Sequence, residues 1–116
     1  MAGKTEPPGV AEAAAEWRAS PDLLAPVHPG EILLEEFLRP HGLSPIKTAA
    51  RLGVPRTRIE RLVAGQTRMT EDTALRLERL FGASAEFWLS LQARYDLAAA
   101  RRHDNPDIAA ITPLEP

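Results

Sequence analysis

The sequence predicts an all-α fold, five helices in one domain behind a proline- and alanine-rich N-terminal arm. Three observations predict it. Apolar residues recur at i, i+3 and i+4 in successive runs after residue 28, the spacing of one helix face. The runs open on Pro, Ser or Thr and several close on Gly, the residues that start and stop helices. No stretch alternates apolar and polar residues as a half-buried strand would. With 116 residues, 44% hydrophobic and 26% charged, the chain has the size and composition of one ordinary domain with tails. We divide it into an arm over 1–27, a domain over 28–102 and a tail over 103–116.

The arm holds Pro7, Pro8, Pro21 and Pro26 around an alanine-rich stretch, a density that no single regular element accommodates. The arm reads as loosely ordered, either with a short helix around Val10 to Ala19 that Trp17 could anchor to the body or disordered when free. The first helix of the domain follows "HPGE": Pro29 suits the first turn, Glu31 favours its positive end, and His28 is placed to help cap it. Ile32, Leu33, Leu34, Phe37 and Leu38 form its apolar face until "RPHG" stops it. The second helix is short, about eight residues, with Ser44 as N-cap and Pro45 in its first position. It turns Ile46, Ala49, Ala50 and Leu52 inward and ends at Gly53. The third starts at Pro55 and buries Ile59, Leu62 and Val63 before "AG" breaks it. Thr70 caps the fourth, whose stripe is Ala74, Leu77, Leu80 and Phe81, ending at Gly82. Ser84 caps the fifth and longest, with Phe87, Trp88, Leu91, Tyr95 and Ala98 at helical spacing. The tail, with Pro106, Pro113 and Pro116, reads as irregular.

Net charge is −2, but it is segregated. Residues 1–36 carry two basic against seven acidic side chains, a balance of −5, and residues 44–68 carry six basic against one acidic, a balance of +5. That separation fits two faces with different partners, a basic one for phosphates and an acidic one for something basic. The basic segment coincides with two short helices joined by "GV", a shape that places the second helix in the DNA major groove. At about 100° per residue, Thr57 and Arg61 lie opposite Ile59, Leu62 and Val63, while Arg56 and Arg58 flank the first turn. Arginine pairs with guanine in bidentate fashion, and Thr57 offers a hydroxyl and a methyl.

"LSPIKTAARLGVPRTRIERLVAGQTRMT" resembles the helix-turn-helix of the lambda-repressor-like group. With "VHPGEILLEEFLRPHGLS" ahead and "RMTEDTALRLERLFGASAEFWLSLQARYDL" behind, the stretch from about Pro26 to Arg101 is similar to the HigA-type antitoxins. The resemblance implies a five-helix core that dimerises, binds an operator in its own promoter, and neutralises an RNA-cleaving toxin of the HigB kind. Carried over by position, it makes Arg56, Thr57 and Arg61 base-reading candidates, with Arg58 beside them. Gln66, Thr67 and Arg68, in the loop that follows, match backbone-contacting positions, and Ser44 and Lys47 complete the DNA-binding set. Two positions depart from the family pattern: Pro45 stands where a glutamine is frequent, and Ala64 replaces the asparagine of a common "NG". Both remove polar contacts and shift affinity onto the arginines and backbone amides. Trp88, Leu91 and Tyr95 are the dimer candidates, although Phe87, Trp88 and Leu91 read equally well as core. A toxin that cuts RNA must attract phosphate and is therefore basic, so Trp17, Glu31 and Glu35 at the acidic end are the toxin-contact candidates.

Other classes find no support in the sequence. There are no cysteines, which excludes disulfides, thiolate metal sites and cysteine nucleophiles. His28, His41 and His103 have no metal-ligand spacing. Adjacent Glu35 and Glu36 diverge by about 100° on a helix, and no phosphate loop or nucleophile elbow is present. No apolar run reaches the roughly 18 residues of a membrane span, and no signal peptide precedes the domain. A cytoplasmic, non-enzymatic protein without cofactor is expected. Two alternatives stay open beside the antitoxin reading: a solitary helix-turn-helix regulator without a toxin, and an interaction module that no longer touches DNA.

Overall fold

The computed structural model describes residues 26–115; the helix expected over 10–19 and Trp17 lie outside the described residues. Every regular element among the described residues is helical. The helices are α1 (Pro29–Ile32), which runs on into a π-helical segment (Leu33–Leu38), α2 (Pro45–Leu52), α3 (Arg56–Val63), α4 (Glu71–Phe81), α5 (Ala85–Arg101) and α6 (Pro106–Ala109). α2 packs mainly on α3, α4 on α5, and α1 crosses beneath both α3 and α5. The shared core is Leu33, Leu38, Ala49, Leu52, Ile59, Leu62, Met69, Ala74, Leu77 and Trp88.

Most boundaries follow from local chemistry. Ser44, Thr70 and Ser84 accept hydrogen bonds from the backbone N–H of Lys47, Thr73 and Phe87, and Gly53 and Gly82 end α2 and α4 at φ 71° and 88°, a region costly for any residue with a Cβ. Instead of a single α-helix, the first element widens after one turn. The N–H of Arg39 bonds back to the carbonyl of Leu34, and that of Leu43 to Leu38, both five residues apart. The wider turn brings Leu33 and Leu38, both fully buried, onto one side; an α-helix would set them about 140° apart. In α2 the inward set also differs from the expected one. Ile46 is 48% exposed and Ala50 is exposed, while Thr48 is buried. The Thr48 hydroxyl donates to the Ser44 carbonyl one turn back at 2.9 Å, so its polar atom is satisfied and its methyl can face the core. α3 begins one residue after Pro55, and Val63 is only partly buried. The tail is not wholly irregular: Asn105 accepts from the Asp107 N–H at 3.0 Å and caps α6.

Trp88 needs a correction. The sequence leaves it between dimer interface and core, and it has no exposed surface in its own chain, which is the core reading. Its ring lies 4.9 Å from Phe37 and 5.0 Å from Phe87, so the π-helical segment covers it and it offers nothing to a second copy.

Two residues of "HPGE" fix α1 against the rest. Gly30 is buried, and a Cβ built there would overlap the Leu62 carbonyl oxygen and stand 3.0 Å from the Val63 Cα. Only glycine lets the two backbones meet. His28 Nδ1 accepts from the Gly30 N–H at 2.9 Å, which requires the neutral ring with its proton on Nε2. The ring also stacks edge-on to Tyr95 with centroids 4.9 Å apart. Burial holds the His28 imidazole below the ordinary histidine range, against opposing effects of a hydrogen bond to the Thr67 backbone and the charge of Asp96.

Gly30→Ala should lower stability by about 3 kcal/mol or more, since backbone rather than a movable side chain occupies the space. Gly42→Ala, at φ 65° with nothing within 4 Å, should cost only about 1–2 kcal/mol from its left-handed conformation; equilibrium urea denaturation compares the two. The depressed His28 value means that the unfolded chain takes up that proton first. Its contribution is therefore complete above the ordinary histidine pKa and lost as pH falls through the folded value. Denaturation midpoints should drop between about pH 7.5 and 5, and His28→Asn, which keeps a capping oxygen, should flatten that part of the profile.

Candidate nucleic-acid interface

The basic segment folds into one exposed face. α2 ends at the left-handed Gly53, two residues turn the chain, and α3 runs outward with Ile59 and Leu62 locked in the core at 0% and 2% exposure. Anchoring that side forces Arg56, Thr57, Arg58 and Arg61 to the surface, and all four are exposed. The loop after α3 places Gln66, Thr67 and Arg68 in the open as well, and Ser44 and Lys47 are exposed at the start of α2. An open depression gathers Thr57, Arg58, Arg61, Thr67 and Arg68, with Asp72 of α4 on its wall. Arg56, Gln66, Ser44 and Lys47 lie outside that depression. The Ser44 oxygen is already engaged by the Lys47 N–H at 3.1 Å.

α3 differs from its neighbours at its N-terminus. The other five α-helices among the described residues each have a side-chain acceptor there, from His28, Ser44, Thr70, Ser84 or Asn105, and α3, preceded by Pro55, has none. The Arg58 N–H donates to the Pro55 carbonyl at 3.0 Å, which leaves the N–H groups of Arg56 and Thr57 and the positive end of the dipole without a side-chain cap beside three exposed arginines, an arrangement suited to a phosphate or another anion.

The arginines divide into two kinds. Arg56 and Arg61 have no side-chain hydrogen bond or ion pair among the described residues. Arg58 and Arg68 are held: Arg58 Nη1 lies 2.5 Å from Asp72 Oδ2, and Arg68 Nη1 lies 3.0 Å from Asp96 Oδ2. Asp72 also accepts from Arg76 Nε at 2.8 Å, and Arg76 Nη1 donates to the Leu52 carbonyl at the end of α2 at 2.8 Å. Hydrogen bonds from Arg76 and then Arg58 keep the Asp72 carboxyl below the usual carboxylate range, which favours its ionised form.

The loop is anchored from behind by residues that sequence reasoning passed over. Met69 is buried and its N–H donates to Gln92 Oε1 at 2.6 Å; Gln92 Nε2 in turn donates to Asp96 at 2.9 Å. Gln92 is only 2% exposed. A polar residue on the inward face of α5 signals such a role, but nothing local names its partner 23 residues away.

Away from this face, Glu31 and Glu35 are exposed, and Glu35 pairs with Arg39 at 2.9 Å. Leu91 and Tyr95 are half-buried, Leu91 against the core and Tyr95 against His28. Leu97 on α5 is 49% exposed.

Known proteins share this architecture. A family model described as helix-turn-helix matches residues 34–88. Virulence-associated protein I of Dichelobacter nodosus is 49% identical over 88 residues, 76% of this chain and 81% of its own length. Antitoxin HigA-1 of Vibrio cholerae is 34% identical over 89 residues, 77% of this chain and 84% of its own. Among solved structures, the Pseudomonas aeruginosa antitoxin HigA with the higBA promoter superposes with a TM-score of 0.73 at 41% identity, covering 78% of this chain and 99% of that one.

Replacing Gln92 by leucine should leave the Met69 N–H buried without an acceptor, at a cost of about 1–3 kcal/mol. Hydrogen exchange at the Met69 amide should quicken more than at the Ile59 amide, because the loop loses its tether while α3 keeps its core contacts.

Proposed function

This chain belongs to the HigA-type helix-turn-helix family, and from that premise we propose that it is an antitoxin and autorepressor. As a dimer it binds an operator in its own promoter through α3, and it neutralises a HigB-type RNA-cleaving toxin. The observation that carries the reading is the outward face of α3, where Arg56, Thr57 and Arg61 are exposed beside an uncapped helix N-terminus. The forks of Arg56 and Arg61, unpaired among the described residues, can read guanine edges, and the N–H groups of Arg56 and Thr57, without a side-chain cap, suit the adjacent phosphate. The homologue solved with its promoter shares the fold that builds this face.

In this assignment Arg56, Thr57 and Arg61 read bases, Gln66, Thr67 and Arg68 contact the DNA backbone, and Ser44 and Lys47 flank them. Two copies would meet half-sites about one helical turn apart, with Leu91, Tyr95 and the exposed Leu97 of α5 as the self-complementary patch. The acidic balance of residues 1–36, including Glu31 and Glu35, would draw in a basic toxin, with Trp17 as a buried anchor.

The test measures binding of the purified chain to a fragment of its own promoter and, in parallel, to the HigB-type toxin encoded beside it. Arg61→Ala should cost about 1–3 kcal/mol of promoter affinity while leaving a scrambled duplex less affected. Removing residues 1–25 should weaken toxin binding and spare DNA binding. Undiminished promoter binding by a chain carrying both Arg56→Ala and Arg61→Ala would overturn the DNA reading, and undiminished toxin binding by the truncated chain would remove the arm from the interface.

A further inference from the structure

Asp72 stands in a place where a DNA-binding face would ordinarily exclude it. It is the one carboxylate among the residues lining the depression that holds Arg58, Arg61 and Arg68. Its position is set from three sides. Thr70 caps the turn that carries it, Arg76 ties it to the Leu52 carbonyl at the end of α2, and Arg58 reaches it from the first turn of α3. α3 and α4 thus meet at one oxygen, Oδ2, and Arg76 links that oxygen to the end of α2.

Resting on the proposed function, we propose that Asp72 is a specificity-setting residue: it holds the Arg58 guanidinium in one orientation and cancels its charge toward phosphate. Binding to arbitrary DNA is driven mainly by cations that neutralise phosphates and release counterions. An arginine already paired with a fixed carboxylate contributes little to that term, and the carboxylate itself repels a phosphate that approaches from the wrong side. Base recognition is affected in the opposite sense. A guanidinium has five N–H donors, and with one committed to Asp72 the others are held ready for an acceptor, so less conformational freedom is lost on contact. The same pair therefore lowers affinity for random duplex and preserves it for the operator; discrimination comes from an unfavourable element as well as a favourable one. The side chains are 40% and 56% exposed, so the pair does little for stability, and its value is geometric and electrostatic.

The experiment compares the chain with Asp72→Asn, Arg58→Ala and the double variant. Each is titrated with the promoter fragment and with a scrambled duplex across a series of salt concentrations. Asp72→Asn should raise affinity for the scrambled duplex severalfold, steepen its log–log salt slope by about 0.9, and shrink the promoter-to-scrambled ratio. In the Arg58→Ala background the same substitution should have a clearly smaller effect on both, because Asp72 acts mainly through Arg58 and only its own repulsion of phosphate and its pairing with Arg76 remain. Arg58→Ala alone should weaken promoter binding while leaving the scrambled-duplex slope unchanged, whereas Arg61→Ala should flatten it; this arm stands even if Asp72→Asn folds poorly. An unchanged ratio and slope in Asp72→Asn, or an equal effect with and without Arg58, overturns the inference while the proposed function survives. Failure of the unmodified chain to bind its promoter fragment overturns both.

Discussion

The contact between Gly30 and the last turn of α3 is the constraint on which the remaining geometry rests. α1 has to cross α3 at backbone distance, and it can do so only because residue 30 has no side chain. Once that crossing is fixed, Leu33 and Leu38 enter the core, the π-helical segment closes over Trp88, and Ile59 and Leu62 are held from below. The exposure of the outer side of α3 follows from where its inner side is gripped. His28 adds a second grip at the same corner, since one ring caps α1, touches the Thr67 backbone and stacks on Tyr95. The corner thus joins α1, the loop after α3, and α5.

Around this frame the polar contacts sort by depth. Gln92 is buried and satisfies an otherwise orphaned backbone N–H, so removing it carries the full desolvation penalty. The pairs Arg58–Asp72 and Arg68–Asp96 are substantially exposed, and pairs of that kind contribute little net stability. What they do is restrict long side chains that would otherwise sample many rotamers. The exposed face therefore combines two arginines without a partner among the described residues, Arg56 and Arg61, with two whose direction is set by carboxylates of α4 and α5.

The local parts of this structure were legible in the sequence. Ser44, Thr70, Ser84, Gly53 and Gly82 act on their own helix ends, so the residue type alone announces the boundary. The inward positions of α3 and α4 were legible for the same reason, because burial of Ile59, Leu62, Ala74 and Leu77 follows a fixed period. The failures were of two kinds, local bonds that depart from the ordinary helical pattern and contacts between distant residues. Nothing near Ile46 says that Thr48 would take the inside place, and nothing near Leu34 announces a five-residue hydrogen bond. Trp88 has the character of an interface anchor until Phe37 is seen lying over it. On the candidate site, the exposure of Arg56, Thr57, Arg58 and Arg61 could be read from helix angles. The leash on Arg58 could not, since Asp72 lies 14 residues along the chain and its sequence context suggests only a favourable helix-dipole position.

The absence of partners for Arg56 and Arg61 among the described residues has an evolutionary side. With Thr57 they are exposed, whereas Ile59 and Leu62 on the inner side of α3 are buried, so replacing them changes the scaffold's folding equilibrium little. Under the proposed function, the address a repressor answers to and the machinery that keeps it folded would then be separate inheritances. Duplicated copies could drift to different operators through three or four codons of α3 while the Gly30 crossing, the caps and the core stay the same, and several such circuits could share one genome without cross-talk.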